Sequence, residues 1–155
     1  MENWQISDKG LRFIAYFEGF KPEMYYCAGG KPTIGFGHVI LPNESFGTIT
    51  IPEAFDLLRS DIRFPIQVTV ELKQNQVDAL CSFIFNIGVR AFARSTLLQV
   101  INKGEVGIAL EFNRWIRAGG VVLPGLVKRR NAEADMYING TYYYQYQGEI
   151  NGTSI

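Results

Sequence analysis

A chain of 155 residues that is 47% hydrophobic is the length of one domain and buries about two-thirds of its unfolded surface, so it needs no covalent or metal staple. Its 15 basic residues balance 15 acidic ones, and a formal net charge of zero excludes a global field that draws the chain to nucleic acid or to anionic polymers. Two cysteines, Cys27 and Cys81, make no disulfide framework, which fits synthesis in a reducing compartment.

The start, Met1-Glu2-Asn3-Trp4-Gln5, has neither a basic nor an apolar signal region, and nowhere do about 18 apolar residues run together. The expectation is a protein made in the cytoplasm without a signal peptide and without stable membrane insertion, whose export depends on another system. The sequons at Asn43, Asn139 and Asn151 carry no weight in that setting.

Residues 7–17 place Leu11, Phe13, Ile14 and Phe17 on an apolar stripe, which predicts an amphipathic helix with Ser7 as its N-cap and Gly19 as its stop. Glu18 then falls on the last turn, at the negative end of the helix dipole among Phe17, Phe20 and Tyr25. A general acid for glycoside cleavage needs such surroundings. Tyr25-Tyr26, the Gly29-Gly30 pair, and the stretches 33–39 and 46–51 read as short strands broken by turns, a small three-stranded sheet.

Thr50 or Ile51, followed by Pro52 at the first helical position, opens a helix that runs to Ile62 and that Phe64 and Pro65 break. Residues 74–85 carry Val77, Leu80, Cys81, Ile84 and Phe85 at the spacing of a buried helix that Gly88 ends, and this is the expected central helix. Shorter helices are expected at 95–101 and 105–117, a loop at Gly119-Gly120, and a last helix over 125–137. A sheet segregated from many helices predicts an α+β fold, with a sheet lobe over about 20–51, a helical lobe over about 52–138 and a cleft between them. In the tail, 139–155, Ile138-Asn139-Gly140-Thr141 recurs as Ile150-Asn151-Gly152-Thr153 around Tyr142, Tyr143, Tyr144 and Tyr146. This segment either packs on the helical lobe or offers a sugar-stacking patch.

The spacing Glu18, eight residues, Cys27, five residues, Thr33, then Ile34-Gly35-Phe36-Gly37-His38 resembles the phage-type lysozyme family, glycoside hydrolase family 24. That family carries Glu, then Asp or Cys, then Thr at these separations, before a T-I-G-[YF]-G-H run. Further along, 72–88 resembles its L-T-x-x-Q-x-D-A-L…F-N-x-G helix. Ser95-Thr96-Leu97-Leu98 and Asn102-Lys103-Gly104-Glu105 resemble its S-T-L-L and N-x-G-[DE] stretches. Gly125-Leu126-Val127-Lys128-Arg129-Arg130 with Glu133 resembles its G-L-x-x-R-R-x-x-E helix, so the likeness covers about residues 7–138.

The resemblance implies a lysozyme-like fold and a single-domain N-acetylmuramidase that needs no cofactor or metal. Its partner would be peptidoglycan glycan strands rather than nucleic acid, and it would act as a monomer in the periplasm or at the wall, delivered by a holin or a secretion apparatus. It also implies Glu18 as acid, Cys27 and Thr33 as the groups that position a water, and Phe85, Asn86, Gly35 and Phe36 as substrate contacts. An arginine of the last helix, Arg129 or Arg130, is expected near Glu18. His38, a lone imidazole without a cysteine or carboxylate at ligand spacing in the sequence, is read as a hydrogen-bonded structural residue. A lytic transglycosylase and an inactive wall-binding module remain the alternatives, and Cys27 acts either as a thiolate base or only as part of the water site.

Overall fold

The computed structural model describes residues 3–150. Helix α1 (Asp8–Glu18) starts where Ser7, in extended backbone, turns its hydroxyl oxygen to accept the Gly10 N–H at 3.0 Å. It stops at Gly19, whose φ of +73° is open to glycine at little cost. The N-cap is itself anchored. Asp78, fully buried on the central helix, accepts from the Ser7 N–H at 3.0 Å, from the Ser7 hydroxyl, from Gln74 and from the Tyr142 hydroxyl. Four donors on one buried carboxylate satisfy it and tie the entry of α1 to α3 and to the tail.

Strands β1 (Lys21–Tyr26), β2 (Pro32–Gly35) and β3 (His38–Val39) form an antiparallel sheet in the order β1-β2-β3. The registers set Tyr25 opposite Thr33 and Ile34 opposite His38. The expected strand over 46–51 does not form, and β3 takes the third place instead. Beside β1, that segment makes one backbone bond, from the Ile49 N–H to the Pro22 carbonyl at 2.9 Å. Pro22 has no N–H to return, so a ladder cannot continue there.

Helix α2 (Ile51–Asp61) begins at Thr50 in a reciprocal cap with Glu53, with Pro52 in its first turn. Helix α3 (Gln74–Ile87) is buried from Val77 to Ile84 and is the central helix the spacing predicts. Gly88 ends it and opens a short helix not expected from the sequence, α4 (Val89–Ala93). Then come α5 (Thr96–Lys103) and α6 (Ile108–Phe112), the latter much shorter than the expected 105–117. The Gly119-Gly120 loop is the tip of a two-residue hairpin between β4 (Arg117–Ala118) and β5 (Val121–Val122), both glycines at positive φ. Helix α7 (Pro124–Asn139) packs against α3.

The tail packs rather than standing free. Tyr144 stacks on Tyr16 at 5.0 Å between ring centroids, and Tyr146 meets Phe36 at 5.0 Å. The Arg12 guanidinium donates to the Tyr146 and Gly148 carbonyls at 2.8 and 2.7 Å. The second copy of the Ile-Asn-Gly-Thr unit falls mostly outside the described residues. Among the described residues no helix is long and apolar enough to cross a membrane. The result is an α+β lysozyme-like architecture, with a small three-stranded sheet beside a larger helical body built on α3.

Candidate active site

Where α1 ends, its last side chain turns into a cleft of about 500 Å³ lined by Glu18, Gly37, His38, Val39, Asp61, Arg63, Phe85 and Asn86 among others. Gly37 sits in the β2–β3 turn at φ +80°, and a Cβ built on it would lie 3.0 Å from Glu18 Oε1. Only glycine gives that turn and that close approach together. A larger cavity of about 600 Å³ lies elsewhere, walled by Trp4, Phe64, Ile66 and Val68. Among the described residues its one ionisable lining group is Glu71, and two carboxyl groups line the smaller cleft, where paired acid–base chemistry is sought.

Glu18 is not in a purely apolar setting. The Arg129 guanidinium donates to its Oε2 at 2.6 Å, which settles which of the two adjacent arginines faces the acid. Arg129, 4% exposed, is held from behind by the Ser82 carbonyl at 3.2 Å and by Glu133 at 3.3 Å. Ser82 donates its hydroxyl to the same Glu133 oxygen at 2.5 Å. Arg130 points the other way, to Glu133 Oε1, the Trp115 carbonyl and Asn86 Oδ1. Two guanidiniums and the carboxyl groups of Glu18 and Glu133 thus close one network, three of whose members are buried.

Cys27 and Thr33 stand on the β1–β2 hairpin and do not line the cleft volume itself. The turn is closed by the Cys27 N–H to the Lys31 carbonyl at 3.0 Å and the Gly30 N–H to the Cys27 carbonyl at 2.8 Å. Backbone bonding at Lys31 first, then the Thr33 hydroxyl and Gly29, lowers the Cys27 thiol from its ordinary value. The lowering comes from hydrogen bonds, and no cation is among its causes. Thr33, 2% exposed, donates its hydroxyl to the Lys31 carbonyl at 2.9 Å, so its one proton serves either that carbonyl or the sulfur. Cys81 is core, as expected, and burial pushes its thiol far up.

Two expected substrate contacts are corrected. Phe36 is 1% exposed and its ring packs against Phe20, Phe55 and Tyr146, so it is core rather than cleft wall. Gly35 is buried against Ala54 and Ile49. Phe85 and Asn86 do line the cleft. Sequence reasoning finds in Tyr25 only an apolar neighbour of Glu18. It is half-buried, and burial first, then the charges of Glu18 and Cys27, push its phenol upward.

His38 bridges two carboxylates, with Nδ1 2.7 Å from Asp61 and Nε2 2.9 Å from Glu44. Both ring nitrogens face acceptors, so both must donate and the imidazolium is the form that fits. Burial alone lowers its pKa, but the hydrogen bonds and charges of Asp61 and Glu44 outweigh it, and the net direction is up from 6.5; Glu44 moves down from 4.5. A raised histidine stabilises fully below its unfolded value and loses that contribution as pH rises through the folded one. A depressed Glu44 loses its contribution as pH falls through its own folded value. His38→Asn is therefore expected to lower Tm by several degrees near pH 5.5, with the gap narrowing toward pH 9. Calorimetry across that range checks it, and a gap that is flat or grows with pH would contradict the imidazolium assignment.

A sequence model described as "Phage lysozyme" matches residues 15–133. The endolysin of Acyrthosiphon pisum secondary endosymbiont phage 1 is 42% identical over 143 residues, covering 85% of this chain and 97% of that one. The endolysin of Bacillus phage PZA is longer, and this chain spans 56% of it at 38% identity. Among solved structures, an endolysin from Escherichia coli O157:H7 phage FAHEc1 superposes with a TM-score of 0.80 at 33% identity, over 91% of this chain and 98% of that one. The muramidase domain of SpmX from Asticaccaulis excentricus gives 0.77 at 34%, over 86% and 97%. With the family matched over most of the chain and a lysozyme-like fold holding an arginine-braced glutamate in its cleft, the chain belongs to the phage lysozyme family and is a lysozyme-type glycosidase.

Proposed function

We propose that the protein hydrolyses peptidoglycan as an N-acetylmuramidase, cutting the β-1,4 bond from N-acetylmuramic acid to N-acetylglucosamine with inversion. The observation that carries this reading is the pair of carboxyl groups found in the cleft among the described residues, of which Glu18 alone is not tied up by the histidine. Glu18 opens into the cleft on its arginine brace, while the other carboxylate there, Asp61, is already engaged by His38. A retaining enzyme needs a second carboxylate as nucleophile about 5 to 5.5 Å away, whereas an inverting one needs room for a water between groups roughly 6.5 to 9.5 Å apart. Cys27 and Thr33 suit the second role.

In the reaction, Glu18 gives its proton to the leaving glycosidic oxygen as that oxygen parts from the anomeric carbon. A water held by Thr33 bonds to the carbon from the opposite face and passes its proton to the Cys27 thiolate. Solvent then returns Glu18 and Cys27 to their starting states. Phe85 and Asn86 contact the sugar from the helical side of the cleft. The protein acts as a monomer in the periplasm or at the wall.

Digestion of purified peptidoglycan, followed by turbidity and mass spectrometry, tests the reading. Clearing with hydrolysed reducing ends is expected. Products with 1,6-anhydro ends would make it a transglycosylase, and binding without solubilisation would make it a wall-binding module. In the same assay Cys27→Asp should stay active and Cys27→Ser should lose most activity. Alkylation should inactivate through Cys27, because buried Cys81 reacts slowly. A Cys27→Ser enzyme with the parent's rate and pH profile would remove the thiolate base.

A further inference from the structure

We infer that Tyr25 is a positioning residue for the attacking water, its phenol O–H being the donor that completes the water's hydrogen bonds between Cys27 and Thr33. The inference rests on the hydrolytic reading above. The hairpin's register carries it. Tyr25 pairs directly with Thr33 across the sheet, and directly opposed residues present their side chains to the same face. Cys27 lies two residues further along the chain, just past the end of β1, where the Cys27 N–H to Lys31 bond continues the pairing, and residues two apart in an extended chain share a face. Tyr25, Cys27 and Thr33 therefore stand together on one side of the hairpin.

The donor count on that face shows what Tyr25 adds. A water about to attack carbon spends one lone pair on the carbon and has two O–H bonds and one lone pair left to satisfy. The one Thr33 proton is taken by the Lys31 carbonyl at 2.9 Å or by the Cys27 sulfur, so toward a water the Thr33 oxygen is an acceptor. The Cys27 sulfur, as thiolate, is the second acceptor and takes the proton in the reaction. The remaining lone pair needs a donor, and the Tyr25 hydroxyl has no hydrogen-bond partner among the described residues. The contrast with the tail is plain, since Tyr142 gives its hydroxyl to Asp78. Burial together with the neighbouring Glu18 and Cys27 keeps the Tyr25 phenol protonated, and hence a donor, across the working range of pH.

Tyr25→Phe removes the O–H and keeps the ring. On a soluble glycan substrate, kcat should fall about tenfold, the value of one hydrogen bond made in the transition state, while KM and Tm stay near the parent's. Tyr25→His restores an aromatic donor and should recover part of kcat. Parent-level kcat in Tyr25→Phe would overturn the inference. So would a rise in KM alone, which would make Tyr25 only a sugar contact, or a histidine variant no faster than the phenylalanine one. A Glu18→Gln control separates this from the underlying reading. If that variant is inactive and Tyr25→Phe is not, only the Tyr25 inference falls; if Glu18→Gln stays active, the reading of the site falls first.

Discussion

Glu18→Gln is expected to keep the fold and to slow wall lysis by on the order of 10² to 10⁴, the usual contribution of a general acid. The amide matches the carboxyl in shape and can still accept from Arg129, so the brace and the Gly37 approach survive. What it lacks is a proton to give the leaving oxygen. The measurement is the rate of turbidity loss on purified wall, with circular dichroism and Tm recorded on the same preparation. A folded variant that clears walls at near the parent rate would remove Glu18 from the chemistry.

The largest loss of stability is expected from Glu133→Ala. Its carboxylate is fully buried and receives Arg129, Arg130 and the Ser82 hydroxyl. Removal leaves Arg130, itself fully buried, without its anion and takes away one of the groups that aim Arg129 at Glu18. Breaking a buried pair from one side costs about 3 to 5 kcal/mol, which for a chain of this size is a fall in Tm of roughly 6 to 20 °C. Glu133→Gln keeps the shape and a hydrogen-bonding oxygen, and should cost less. Calorimetry of the two variants checks the order, and an unchanged Tm in the alanine variant would mean that the network adds nothing to stability.

Much of the fold is legible in the chain because local signals agree with it. Ser7, the Leu11-Ile14 stripe and Gly19 mark α1 from end to end, and the run from Val77 to Phe85 has a single period to follow. The third strand is misplaced by sequence reasoning because the apolar stretch 46–51 looks extended, and what stops it pairing is Pro22, far earlier in the chain, on the strand it would join. The β4–β5 hairpin has two-residue strands, too short for any alternation to register. At the site, Glu18, Cys27 and Thr33 can be named as candidates through the family resemblance that their spacing carries.

The bracing arginine cannot. Arg129 and Arg130 differ by one helical step, about 100° around α7, and only the packing of α7 on α3 says which of them meets Glu18. Phe36 misleads in the opposite sense. In a glycine-broken turn an aromatic residue looks free to meet a ligand, yet the turn that brings Gly37 against Glu18 sends the neighbouring ring into the core with Phe55. Tyr25 gives no sign of its own, because its place depends on the cross-strand register with Thr33.

The central claim is a single displacement, with Glu18 giving a proton on one face of the sugar and a water entering from the other. Proton NMR of the reducing end during early turnover, before mutarotation mixes the anomers, tests it most directly. The α-anomer should appear first. A β-anomer as first product would require a covalent intermediate and a nucleophile in place of the positioned water, and would contradict the roles of Cys27 and Thr33 in holding that water and taking its proton.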